Sequence, residues 1–337
     1  MERNILIQRP DMCLIRRVIG EWTQQHKPFM RGIDNERVYQ HFLRDAMRLT
    51  NTPSAAVLCA DDGQLTAFAG IEPSPWDSGI LGVQVAKLTP FVGCIPSDQL
   101  ERVQLISLLG KLFDALEFRA RDMAADVIVT RSDARDIHLV QALESCGFTT
   151  MDSITTLYRE IGPSGKGDNN NSQISMCIRP STRDDVEVIC LIAECAFRQG
   201  HFQNDTRIEP SCARRMYAQW AANSCNGRSD VVLVAEQEGQ PNRLCGFIAC
   251  NLDEELVGVI GKPHGIIDLV AVAPEMQGRG VGRELVATAL DWFSIAGAQG
   301  VEVGTQLANL AAIRTYQSAG FSCVAFAHTL HKWLATT

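Results

Sequence analysis

The stretch Val270-Ala-Val-Ala-Pro-Glu-Met-Gln277-Gly278-Arg279-Gly280-Val281-Gly282 decides the fold. Before it, Gly265 to Ala273 reads as a strand. After it, Glu284 to Ala296 reads as a helix with Leu285, Ala289, Leu290 and Phe293 on its apolar side. Closely spaced glycines at a strand-to-helix turn leave several backbone N–H groups pointing at one spot. That spot is the positive end of the helix dipole, which suits a phosphate or pyrophosphate. Glycine lets the anion approach without meeting a Cβ. Taken alone, the pattern also fits an ordinary strand–turn–helix connection. A dinucleotide loop of Rossmann type would follow the first strand, and the element order here is wrong for it.

Working outward, Ser181-Thr-Arg-Asp184 caps a helix carrying Val186, Ile189, Cys190, Ala193 and Phe197. A loop over Arg198 to Glu209 precedes a second helix through Met216, Tyr217 and Trp220. Strands follow at Val231 to Glu236 and Leu244 to Leu252, and after the glycine loop come a strand at Val301 to Gln306, a helix at Leu310 to Ser318 and a strand at Cys323 to Leu334. The first half repeats this order, with helices at Cys13 to Gln25 and Glu36 to Leu49 and strands at Ala55 to Cys59, Leu65 to Ile71 and Gly82 to Val92. It continues with a helix at Asp98 to Phe118, a strand at Asp126 to Thr130, a helix at Ile137 to Ser145 and a strand at Phe148 to Tyr158. Leu143-Glu-Ser-Cys-Gly-Phe148 aligns with Tyr316-Gln-Ser-Ala-Gly-Phe321, so the chain is an internal duplication. The polar run 162–173, rich in Gly and Asn, divides it into domains at 1–161 and 174–337.

Composition narrows the function. The chain has 337 residues, 46% hydrophobic and 21% charged, which is ordinary for two globular domains. Its net charge is −8 and neither half is basic, which argues against nucleic acid and anionic membranes as partners. No apolar run approaches the roughly 18 residues of a membrane span; the most apolar stretch, Gly265 to Ala273, carries Asp268 in its middle. No leader is evident, and twelve cysteines without a Cys-x-x-Cys read as reduced core residues of a cytoplasmic protein. No metal is implied, because the seven histidines show no ligand spacing.

Gln277-Gly-Arg-Gly-Val-Gly282, the strand before it and the element order together resemble the GNAT N-acetyltransferase superfamily and its acetyl-CoA loop. The fold that this resemblance implies is α/β: tandem GNAT folds, each a mixed, mostly antiparallel sheet flanked by helices. The first copy is degenerate, since Cys94-Ile-Pro-Ser-Asp-Gln-Leu-Glu101 has no glycine and carries two acids where a pyrophosphate would lie. Acetyl-CoA would be the co-substrate, held by Gln277, Gly278, Arg279, Gly280, Val281 and Gly282. The backbone of Leu269, Val270, Ala271 and Val272 would supply N–H donors for the oxyanion. Asn309 and Tyr316 stand about two helical turns apart, so they share one side of the helix. By resemblance Asn309 contacts the pantetheine, while Tyr316 lies at the sulfur, where a phenol can protonate the leaving thiolate.

Several segments resemble the dTDP-fucosamine N-acetyltransferases more narrowly. These are Trp76-Asp77-Ser78 with Leu81-Gly82, Ala196-Phe197 with His201-Phe202 and Asp205-Thr-Arg207, Tyr217-Ala-Gln-Trp220, and Thr305-Gln306 through Gly320. This resemblance implies Tyr316 as general acid. It also implies a carboxylate in the last strand of the first domain acting through water, and Asp152 falls there. Asp268, His264 and His201 are the other base candidates. Arg198, His201, Phe202 and Arg207 would line the acceptor loop, with the first domain walling the cleft. The chain departs from that family at His201, where the family has Arg, at Thr315, and in a first motif without the family's Phe-Phe. The expected activity is acetyl transfer to a primary amine of a small molecule, foremost a nucleotide-linked amino sugar. Other amines (aminoglycoside, polyamine, amino acid, protein N-terminus) and a non-catalytic acyl-CoA sensor are the alternatives. A homodimer is compatible with the sequence.

Overall fold

The structure, a computed structural model, describes residues 6–25, 35–52, 54–61, 66–92, 98–161, 176–240, 243–253, 257 and 263–335. The expected connection at 162–173 and residues 94–97 lie outside the described residues. The elements run β1 (Leu6–Gln8), α1 (Met12–Gln25), α2 (Asn35–Asn51), β2 (Ala56–Asp61), β3 (Thr66–Pro73), α3 (Pro75–Leu81), β4 (Val85–Val92), α4 (Gln99–Asp122), β5 (Val127–Asp133), α5 (Ile137–Ser145) and β6 (Thr149–Glu160). They continue with β7 (Met176–Pro180), α6 (Val186–Ala196), α7 (His201–Asn204), α8 (Pro210–Asn223), β8 (Val231–Gln237), β9 (Leu244–Leu252), β10 (His264–Val272), α9 (Val281–Ile295), β11 (Gly300–Gln306), α10 (Leu310–Ser318) and β12 (Ser322–Trp333).

Two compact units result, Met1–Asp152 with Phe326–Thr337, and Ser153–Ala325. This differs from the boundaries expected at 161 and 174, because each half gives its last strand away. β12 pairs antiparallel with β5, from Ala327 opposite Asp133 to Trp333 opposite Val127, and β6 pairs antiparallel with β11 over Ile154–Glu160. Sequence neighbours pair in only about two-thirds of cases.

In the first unit the strand order is β1-β2-β3-β4-β5-β12, antiparallel except for β4 with β5. Alternation along β3 sends Phe68 towards Ile15, Val18, Ile19 and Leu49 of α1 and α2. It sends Ala67 and Ala69 towards Leu105, Leu108, Leu109 and Leu112 of α4. In the second unit the order is β6-β11-β10-β9-β8-β7, antiparallel except for β10 with β11. Residues 244–250 of β9 are all buried, which requires cover on both faces; α6 and α9 both pack against β9 and β10.

Four elements escape the sequence reading. β1 has three residues, α3 is a short helix begun by Pro75, α7 is a single turn inside the expected loop Arg198 to Glu209, and β7 shows no burial alternation. β7 nonetheless anchors the unit. Arg179 donates to both oxygens of Asp185 (2.7 and 3.0 Å) and to Glu236 Oε2 (2.7 Å). Asp185 also accepts from Thr182 N–H (2.7 Å) and Oγ (2.9 Å), so the helix start falls one residue later than Ser181–Asp184 suggests.

The Arg179 fork, with Thr182 behind it, holds the Asp185 carboxyl down at about 2. A depressed carboxylate contributes stability above its unfolded value of 3.8 and loses it as pH falls towards 2. Asp185→Asn should therefore lower Tm at neutral pH and flatten the loss of Tm between pH 4 and 2, as followed by thermal melts. Separately, residues 176–337 expressed alone lack β6, so they should melt without a cooperative urea transition by circular dichroism. Co-expression with 1–161 should restore it.

Candidate active site

β10 and β11 pair in parallel for four residues only, His264–Ile267 with Gly300–Val303. On the other side of β10 the register with β9 slips between Ile267 and Leu269, making Asp268 the extra residue of a β-bulge. A bulge bends its strand and redirects the residues beyond it. Leu269–Val272 therefore stay on β9 while leaving β11, and β11 continues on β6 as far as Gln306 opposite Ile154. The two parallel strands open into a fork, whose β10 edge carries backbone groups without a strand partner among the described residues. The sequence signal for this bulge is the lone Asp268 inside an apolar run, which the sequence reading takes as a break in a membrane span and as a base candidate.

The fork leads into the glycine loop. Gly278 and Gly280 take φ of +75° and +91°, a region that favours glycine, and nothing lies within 4 Å of where a Gly278 Cβ would stand. The hydrogen bonds of α9 begin with Arg283 and Glu284 N–H to Gly280 O. The N–H groups of Gly278 to Gly282 have no backbone acceptor among the described residues. Gln277 is exposed and donates to Val272 O (3.3 Å), and Arg279 is exposed. A Cβ on Gly282 would lie 3.6 Å from Val272 Cγ2 and 3.9 Å from Thr315 Cγ2, so the start of α9 sits against both the end of β10 and α10.

α10 carries Tyr316, 5% exposed. The helix ends in a Schellman turn: Phe321 N–H bonds to Tyr316 O (3.0 Å), Gly320 N–H to Gln317 O (3.0 Å), and Gly320 has φ +82°. The Tyr316 and Phe321 rings meet at 5.8 Å, which fixes the phenol. Burial pushes the Tyr316 phenol well above its usual range, with Cys250 of β9 adding to the shift. No hydrogen bond to its oxygen is present among the described residues. Asn309 begins the same helix: its Oδ1 accepts from Ala312 N–H (3.2 Å) and its Nδ2 donates to Thr305 Oγ1 (3.3 Å), so its visible work is capping.

The base candidates separate. Asp268 accepts from Asn251 Nδ2 (2.7 Å); burial raises its carboxyl, opposed by the charge of Arg228 and then by that hydrogen bond. Asp152 stands on β6 just before Ser153, whose carbonyl accepts Leu307 N–H (2.8 Å); both Asp152 oxygens are buried without a hydrogen-bond partner. His264 lies at the far end of β10, about 13 Å short of Asp268 at roughly 3.3 Å per residue, stacked on Tyr158 and 3.4 Å from Glu302. The structure takes it away from the fork. On the expected acceptor loop, Arg198 is exposed and donates to Cys195 O (3.2 Å), and exposed Arg207 gives its backbone N–H to Asp205 (3.0 Å). The His201 ring lies 3.9 Å from that of Phe202, and Phe202 is a core residue.

The first unit has the same frame without the site. Leu88 opposite Thr130 answers to Ile267 opposite Val303, each the last parallel pair. Its register with β3 then runs on without a bulge, so Asp268 has no counterpart, and Pro90, which lacks an N–H, takes the place of Val270. Thr130 Oγ1 donates to Leu88 O (2.9 Å) at the mouth of its fork. In the matching Schellman turn, buried Leu143 replaces Tyr316.

Residues 196–321 match the sequence profile of the Acetyltransferase (GNAT) family. The fork, the glycine loop and this match define an acyltransferase enzyme, and residues 196–321 carry a domain of the GNAT acetyltransferases, a family that uses acetyl-CoA. It is 27% identical over 277 residues to the spore coat polysaccharide biosynthesis protein SpsD of Bacillus subtilis (strain 168), covering 81% of this chain and 86% of that one. It is 23% identical over 271 residues to the dTDP-fucosamine acetyltransferase of Escherichia coli O6:H1, covering 78% and 98%. Among solved structures, the tandem GNAT protein from the clavulanic acid biosynthesis pathway covers 99% of each chain with a TM-score of 0.54 at 12% identity, a likeness of fold. Among the described residues no helix is long and apolar enough to cross a membrane.

Gly280→Ala forces a Cβ into the left-handed region, at a cost of roughly 1 kcal/mol or more. It should raise the Kd for acetyl-CoA about tenfold in a calorimetric titration. Gly304→Ala, on β11 with nothing within 4 Å of its Cβ, should leave that Kd near the parent value.

Proposed function

We propose that this chain moves the acetyl group of acetyl-CoA onto a primary amine of a small molecule, an amino sugar carried on a nucleotide. The observation that carries the reading is the fork opened at Asp268 and continued into unpaired N–H groups at Gly278 to Gly282. Those donors, on glycines free of Cβ, fit a pyrophosphate. When bound, acetyl-CoA supplies the thioester whose carbonyl the amine attacks. The open edge of Leu269–Val272 offers N–H donors to the oxygen that gains charge.

Tyr316 is the general acid in this reading. Its buried phenol keeps its proton through the neutral range, so it has one to give to the departing sulfur. The attacking amine arrives as an ammonium and must lose a proton. Asp152 takes it through water, as a carboxylate with two unpartnered oxygens is able to do. Asp268 supports a second reading, because burial already raises its affinity for a proton and it sits at the bulge itself. The sugar-amine acceptor is favoured by the two relatives, one named for spore coat polysaccharide biosynthesis and one for acetylating dTDP-fucosamine.

Thiol release from acetyl-CoA, with mass detection of the product, over nucleotide amino sugars, aminoglycosides and polyamines tests the reading. Turnover on a nucleotide amino sugar is expected. Tyr316→Phe should cut kcat at least 100-fold with acetyl-CoA affinity nearly unchanged. Asp152→Asn should cut kcat, with the loss largest at low pH, while Asp268→Asn leaves most of it; the reverse pattern transfers the base to Asp268. Acetyl-CoA binding without turnover on any amine would turn the reading towards an acyl-CoA sensor.

A further inference from the structure

α8 ends in a wide turn at Ser224–Arg228. Asn226 leaves helical geometry there, Gly227 takes φ +99°, and Ser229 N–H reaches back to Ser224 O at 3.3 Å. Such widened turns re-aim the side chains after them and recur at functional sites. Here the side chain is Arg228, whose guanidinium carbon lies 5.5 Å from the centroid of the Trp220 ring. Stacking on an aromatic face holds a guanidinium in place while leaving its in-plane N–H donors turned outward. Among the described residues no acceptor meets those donors.

Two observations tie this arginine to the fork. Its charge reaches Asp268, the bulge residue, and counts for more there than the hydrogen bond from Asn251, yet no ion pair joins them among the described residues. The β8 strand beyond it starts with Val231 opposite Cys250, itself opposite Ile267 at the last closed pair of the fork. Three further polar atoms of the same stretch are buried without a partner: Trp220 Nε1, Ser224 Oγ and Ser229 Oγ. An indole N–H and a guanidinium only donate, and a hydroxyl is able to. Arg228 itself is exposed, and a stacked guanidinium whose donors lack acceptors is complementary to an anion.

We propose that Arg228 binds a negatively charged group of the acceptor beside the bulge where its amine reacts, so that the acceptors of this enzyme are anionic amines. This rests on reading the fork as the acyl-transfer site. It disfavours polyamines and aminoglycosides, whose further positive charges would meet Arg228. The anionic group has two chemical sources, the diphosphate of a nucleotide-linked amino sugar or the carboxylate of an amino acid.

Two matched pairs of acceptors distinguish these sources: a nucleoside-diphosphate amino sugar against the free amino sugar, and an amino acid against its amide. The expected result is at least a tenfold preference in kcat/KM for the anionic member of one pair. R228Q should remove it through KM, with a much smaller fall on the neutral member, and R228K should restore part of it. Equal losses on both members, or a wild-type preference for the neutral one, overturn the proposal. Binding is read separately by titrating thymidine diphosphate and N-acetylglycine into enzyme saturated with CoA, which keeps the glycine loop filled. At least one should bind about tenfold more weakly to R228Q, whose Tm checks the fold. If R228Q weakens neither, the anion site is wrong; if one is weakened but no amine is acetylated, the acyl-transfer reading fails and the anion site stands.

Discussion

The slip of one residue between Ile267 and Leu269 is the constraint on which the second unit depends. A parallel pair inside a sheet normally satisfies both edges of both strands. The extra residue at Asp268 turns β10 away from β11 after four pairs, and backbone groups that would have closed the sheet are left for a ligand. The same departure sends β10 into the glycine loop, so the open edge and the unpaired N–H groups of α9 belong to one continuous stretch of chain. Tyr316 is held in the core of the same unit by a helix end whose turn and ring contact act on one side chain.

The duplication supplies an internal control for that account. Both units retain the four-pair parallel frame and the same Schellman turn, features of folding rather than of chemistry. Among the described residues, the fork of the first unit lacks the groups that the second presents. It has no bulge, Pro90 has no proton to donate, Thr130 occupies the Leu88 carbonyl, and Leu143 is an apolar residue where the phenol stands. A copy that keeps its frame and loses those particular groups is what a structural partner of a single active unit looks like.

Much of this was legible in the sequence. Helix and strand periodicities gave the element order in both halves, and the glycine spacing gave the loop, because both are local. The exchange of β6 and β12 was not legible, since alternation fixes which face a strand buries and not which neighbour it pairs with. The fork escaped for the same reason: a bulge is a relation between two strands, and its one trace was an acid in an apolar run. Spacing puts Asn309 on one side of the helix with Tyr316, while its side chain is engaged in capping α10. Arg228 was missed because its position depends on a widened turn and a stacked ring, neither of which has a spacing signature.

In the proposed reaction, one fork of the two receives acetyl-CoA. A calorimetric titration of the full chain with acetyl-CoA measures this directly as a stoichiometry. One site per chain is expected, lost or weakened by Gly280→Ala in the second unit and untouched by Pro90→Ala in the first. Two sites per chain, or a single site sensitive to Pro90 and not to Gly280, would contradict it.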